Sequence, residues 1–152
     1  MEKQILIIGY GNTLRGDDGV GYRAAEMLAE NATVCAVAEV LACRMLTPEL
    51  AEKISRVQRV IFLDADSRLP TGKIEHRELV PDYHINPGLS HHLNPTQLLG
   101  FASVLYDKMP AKAEGLFMGA TSFDFVDCLS PEVEAGLRVL MGEIEAIICN
   151  AA

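Results

Sequence analysis

Positive charge is what this chain has least of. Its 13 Lys and Arg stand against 21 Asp and Glu, giving a net charge of −8 and a pI near 4.9. A surface of that sign repels phosphates and acidic lipids, so neither nucleic acid nor an anionic membrane is an expected partner, whereas a basic or neutral protein is. No apolar run approaches the roughly 20 residues needed to span a bilayer. Glu2 and Lys3 lead directly into the first apolar segment, which leaves no room for a secretory leader. Cys35, Cys43, Cys128 and Cys149 show no CxxC spacing, so reduced thiols in a cytoplasmic protein are the simplest expectation, with Cys35 and Cys149 read as core residues. Internal repeats and linkers are also missing. The 152 residues therefore read as one domain, 1–152, large enough to fold without a staple.

Three familiar chemistries are absent as well. Gly9-Tyr10-Gly11 begins like a dinucleotide fingerprint, but Leu14 stands where the third glycine belongs and two acids follow that would repel a pyrophosphate. No Lys-Ser or Lys-Thr pair follows these glycines, which excludes a P-loop. The Gly119-Ala120-Thr121-Ser122-Phe123 run is not a nucleophile elbow, and spacing suggests no histidine partner for Ser122.

What is present alternates between β and α patterns. Gln4 to Gly9 reads as a buried strand, and residues 19–30 follow as an amphipathic helix with Val20, Ala24, Met27 and Leu28 on one face. A second strand is expected at 33–40, and Thr47-Pro48-Glu49 starts a short helix that ends near Ser55. Residues 57–63 form a third strand terminating in Asp64-Ala65-Asp66. Residues 73–80 are polar for a strand and fit an edge strand running antiparallel. Residues 81–94 form a long loop, and Asn94 with Gln97 makes a capping box for the next helix. Residues 115–120 give a fifth strand, and Ser130-Pro131-Glu132 opens a last helix with one continuous apolar face. The order βαβαββαβα predicts a three-layer α/β/α sandwich around a mostly parallel five-stranded sheet with one antiparallel edge strand.

The chemistry gathers at strand ends. Four glycines in the segment 10–21 surround Asp17 and Asp18, Asp64 and Asp66 close the third strand, and His91 and His92 lie in the long loop. Right-handed crossovers bring all three groups to one rim of a parallel sheet, where open α/β sheets bind ligands. Carboxylates with an imidazole suit zinc, nickel, iron or manganese. Each feature also has a structural reading: Asp17 fits a cap for the first helix, Asp66 a turn acid, and a loop histidine a solvated side chain. Asp64 is the acid that most needs a partner, because it ends a buried strand. His76 and His84 read as surface residues.

The run GYGNTLRGDDGVG, from Tyr10 backwards to Gly9 and onwards to Gly21, resembles the signature of the hydrogenase maturation endopeptidases. Leu46-Thr47-Pro48-Glu49-Leu50, Phe62-Leu63-Asp64-Ala65 and Leu129-Ser130-Pro131-Glu132-Val133 are similar to later blocks of that family in the same order. The resemblance implies an endopeptidase that removes the C-terminal extension of a nickel-loaded large-subunit precursor of a nickel-iron hydrogenase. It also implies that Asp18, Asp64 and His91, or His92 if the register shifts by one, contact the nickel that the precursor carries, with no tightly held metal of the protease's own. The second acid of the pair is often glutamate in that family and is aspartate here. Asp17 or Asp66 is then the candidate proton acceptor. A monomer is expected, since the rim must stay open to a folded protein substrate. The competing readings are a nickel-checking module that docks without cutting, and a general α/β protease related to the spore germination protease.

Overall fold

In the computed structural model, which describes residues 2–84 and 93–150, the strands are β1 (Ile5–Tyr10), β2 (Ala38–Cys43), β3 (Arg59–Asp66), β4 (Ile74–Glu78) and β5 (Lys112–Gly119). The helices are α1 (Val20–Ala29), α2 (Ala32–Val37), α3 (Leu50–Ser55), α4 (Pro95–Tyr106) and α5 (Pro131–Cys149), and a 3-10 turn covers Gly16–Gly19. The sheet order is β2-β1-β3-β5-β4. β1 pairs in parallel with β2 and β3, β3 in parallel with β5, and β4 runs antiparallel on the edge beside β5.

Alternation along the strands builds two cores. Ile7, Ile61, Leu63, Leu116 and Met118 pack with Ala24 and Leu28 of α1 and with Val133, Leu137, Leu140 and Ile144 of α5. Leu6, Ile8, Val60 and Phe62 point the other way, onto Ala51 and Ile54 of α3 and Leu98, Leu99 and Ala102 of α4. The α/β/α sandwich with a mostly parallel sheet and one antiparallel edge strand is the architecture that the element order predicts. Among the described residues no helix is long and apolar enough to cross a membrane.

Local signals explain two of the helix starts. Asn94 Oδ1 accepts the Gln97 N–H at 2.8 Å while Gln97 Oε1 accepts the Asn94 N–H at 3.0 Å, completing the capping box of α4. The second strand is the main departure. Residues 32–37 form a helical segment, because Asn31 Oδ1 accepts the Val34 N–H at 3.1 Å and starts a turn that the β-branched Thr33 and Val34 do not resist. The strand itself begins at Ala38, and as the sheet's outer strand it is only partly buried, which weakens its hydrophobic signature. Cys35 is partly exposed and Cys149 exposed, so neither is a core residue; all four cysteines are free.

One charge is fully buried in the sheet. Glu114 of β5 accepts Arg59 Nε and Nη2, each at 2.8 Å, and lies 2.9 Å from His76 Nε2. Burial works to raise its pKa, but the Arg59 fork and the neighbouring Lys112 and His76 outweigh it and hold the carboxyl below its usual range.

The chain's path positions the site. From β1 it crosses to β2 on one side, then returns past β1 to β3 on the other. The loops leaving the carboxyl ends of β1 and β3 therefore part, and a crevice opens between them at the topological switch point.

Candidate functional site

The loop after β1 reaches that crevice through two glycines. Gly11 has φ +146°, and a Cβ there would stand 1.9 Å from the Asp18 carbonyl oxygen, so no other residue fits without moving the acid. Gly16, at φ +56°, turns the chain into the 3-10 segment that carries both acids. The two then point to different places.

Asp17 goes inward. It is fully buried and accepts the Ser130 N–H at 2.7 Å, the Ser130 hydroxyl at 2.9 Å, and the Ser122 and Thr121 N–H groups at 3.2 and 3.3 Å. Burial alone would raise its pKa, yet these donors lower it. Asp17 thus clamps the loop between β5 and α5 and does not cap α1, whose capping position is held by Gly19 with no side-chain bond. Ser130 spends its hydroxyl on Asp17, which is why α5 has no side-chain cap of its own. Arg15 and Arg23 fasten the same loop by donating to the Phe123 and Asp127 carbonyls.

Asp18 stays at the rim. Asn12 donates its backbone N–H to Asp18 Oδ2 at 2.9 Å and leaves the rest of the carboxylate open. Asp64, near the end of β3, lines the same cleft, a space of about 290 Å3 walled also by Tyr10, Gly11, Arg44 and Leu46, with Leu93 and Asn94 at its lip. Burial pushes the Asp64 pKa up to about 7; a hydrogen bond from Tyr10 and the Ala65 N–H at 2.8 Å oppose this, and the charges of Asp18 and Asp66 add to it. The Tyr10 hydroxyl is in turn pushed up, chiefly by burial and then by Asp64. Two carboxylates that repel each other in one cleft are an arrangement that a cation relieves.

Asp66, two residues on, faces away. It is buried and holds Arg68 Nε at 3.1 Å and Arg77 Nη2 at 2.6 Å, and these hydrogen bonds, that from Arg68 foremost, keep it far below the usual carboxylate range. Asp17 and Asp66 both lack a free lone pair aimed at the cleft. Their donors hold them ionised and occupied, which makes either a poor proton acceptor.

His91 and His92 lie outside the described residues. The backbone just beyond them is tied to the cleft, since Leu93 forms a bridge to Leu46. Among the described residues, no group of three His, Cys, Asp or Glu side chains is placed to hold a metal ion. Asp18 and Asp64 are two oxygen donors that share one cleft. A larger hollow of about 730 Å3 opens at the opposite end of the sheet, where the acids Glu2 and Asp107 share the wall with the basic Arg56 and Lys108. Of the cleft residues, Arg44 carried no signal in the sequence; the strand before it runs to Cys43, three residues further than the pattern suggests.

This fold, with acids delivered at the β1 and β3 ends, is the fold of the hydrogenase maturation endopeptidases. Hydrogenase maturating endopeptidase HybD from E. coli superposes with a TM-score of 0.73 at 21% identity, over 98% of this chain and 94% of that one. The hydrogenase 2 maturation peptidase from Thaumarchaeota archaeon SCGC_AB-539-E09 gives 0.72 at 24% identity over 96% and 98% of the two chains. The [NiFe] hydrogenase maturation protease HycI from Thermococcus kodakarensis gives 0.74 at 21% identity over 95% and 92%. At these identities the likeness is one of fold. No protein-family profile matches the chain, and no curated protein matches it.

Proposed function

We propose that this chain is an endopeptidase of hydrogenase maturation, which removes the C-terminal extension of a nickel-loaded large-subunit precursor. The observation that carries this reading is the meeting of Asp18, from the turn after β1, and Asp64, near the end of β3, in one cleft at the switch point of the sheet. The substrate's nickel docks on these two carboxylates, with His91 as the third ligand. An ion so held supplies Lewis acidity at a nearby peptide carbonyl and a water of lowered pKa.

The chain's own residues set the conditions for that chemistry. Gly11 and Asn12 hold Asp18 at the rim. Tyr10 and the Ala65 N–H aim Asp64. Asp17 keeps the neighbouring loop in place and Asp66 braces β3 against β4 through Arg77. Because a partial ligand set binds a bare ion weakly, recognition depends on a precursor that already contains metal, and metal insertion thereby licenses cutting. The protease acts as a cytoplasmic monomer with its rim open to the precursor.

The test is incubation of the precursor with this chain, with and without nickel, read by mass spectrometry. Loss of a C-terminal fragment from the nickel-loaded form alone is the expected result. Cleavage of the metal-free precursor would instead mark a general protease. Complex formation with no change of mass would mark a docking module.

A further inference from the structure

The cleft contains one cation among its described lining residues, Arg44. The other arginines near a carboxylate are committed: Arg59 to Glu114, Arg68 and Arg77 to Asp66. Arg44 shares a cleft with Asp18 and Asp64 and makes an ion pair with neither. Its one hydrogen bond among the described residues is long, 3.5 Å from Nη2 to Asn12 Oδ1, and that oxygen already accepts the Leu14 N–H at 2.9 Å. The preceding Cys43 carbonyl accepts the Gly11 N–H at 3.2 Å, which ties the end of β2 to the loop that presents Asp18. An exposed guanidinium is thus carried at the wall of an acidic cleft, with most of its donors uncommitted among the described residues.

Peptide hydrolysis moves negative charge into this space. Water adds its oxygen to the carbonyl carbon, and the π pair moves onto the carbonyl oxygen. When the double bond re-forms, the C–N bond breaks, one proton of the water goes to the leaving nitrogen, and the proton lost by the new acid completes its ammonium group. The products are one carboxylate and one ammonium. Asp18 and Asp64 oppose every anionic stage of that sequence. A planar fork of N–H donors is the side chain suited to a developing oxyanion and to the carboxylate that follows.

We infer that Arg44 is a catalytic residue of the cleft, donating from its guanidinium to the carbonyl oxygen of the scissile bond and then to the product carboxylate. This rests on the cleavage reading above, and beside the ion's Lewis acidity it adds a protein group that receives the charge.

Single-turnover cleavage of nickel-loaded precursor tests it, comparing wild type with Arg44→Ala and Arg44→Lys and measuring precursor affinity alongside. Loss of one oxyanion donor slows the chemical step by about 10²–10³-fold. Arg44→Ala should therefore cut that much more slowly with its affinity and unfolding midpoint unchanged, Arg44→Lys should fall between, and added guanidinium should restore part of the Arg44→Ala rate. Arg44→Ala cutting at the wild-type rate overturns the assignment while leaving the protease reading intact. A loss carried wholly by affinity also overturns it, since it makes Arg44 a docking residue. A wild-type chain that cuts nothing removes the protease reading and this inference with it.

Discussion

Asp17 and Ser130 are joined twice across 113 positions of sequence, the backbone N–H to one carboxylate oxygen at 2.7 Å and the hydroxyl to the other at 2.9 Å. Asp18, its neighbour in the chain, spends one oxygen on Asn12 and faces the cleft. Adjacent residues of one type thus do different jobs, one holding the fold and one available for chemistry.

Asp17→Asn should cost stability first. The amide turns a donor toward a nest of donors and leaves buried N–H groups unsatisfied, a loss of about 3 kcal/mol. The denaturant midpoint should fall with m unchanged. A variant as stable as wild type would show that the clamp contributes little.

Asp18→Asn and Asp64→Asn should do the reverse. Neither anchors packing, and each removes a charge that its neighbour repels, so thermal midpoints should stay level or rise slightly. Processing of the nickel-loaded precursor should be lost in both. Retained processing in both variants would remove these residues from the site.

Gly11→Ala combines the two effects. A methyl group 1.9 Å from the Asp18 carbonyl cannot be accommodated at φ +146°, so the loop must shift and carry Asp18 with it. A destabilisation of about 2–4 kcal/mol is expected, with processing falling further than stability explains. Paired melting and cleavage assays check this.

Glu114 sets an acid limit on the fold. Its folded pKa lies below the ordinary 4.5, so its contribution is present above that value and is lost as pH falls through the folded pKa. Glu114→Gln should destabilise by about 3 kcal/mol at neutral pH, because Arg59 is left without its partner, and should flatten the acid side of the stability curve. Urea titrations from pH 7 to pH 3 would show both effects.

The layered fold was legible because periodicity reports burial directly. Leu6 to Ile8 and Val60 to Leu63 are apolar on both faces because both faces are covered, and α5 repeats its stripe because one side meets β5 and α1. Residues 32–37 misled because a single cap bond from Asn31 outweighed the β-preference of Thr33 and Val34, and a half-buried edge strand such as β2 has little pattern to read.

The residues alone settle the order of the elements apart from α2, the glycine-built turn after β1 and the presence of acids at two strand ends, since these depend on local sterics and on contacts close along the chain. Which acid is tied into the fold and which faces the cleft rests largely on partners distant in the chain: Ser130 for Asp17, Arg77 beside the local Arg68 for Asp66, Tyr10 for Asp64. Arg44 likewise enters the cleft only because the end of β2 is bonded to Gly11. Hydrogen bonding and desolvation decide what a carboxylate does, and both belong to the environment that folding assembles, which one-dimensional spacing does not encode.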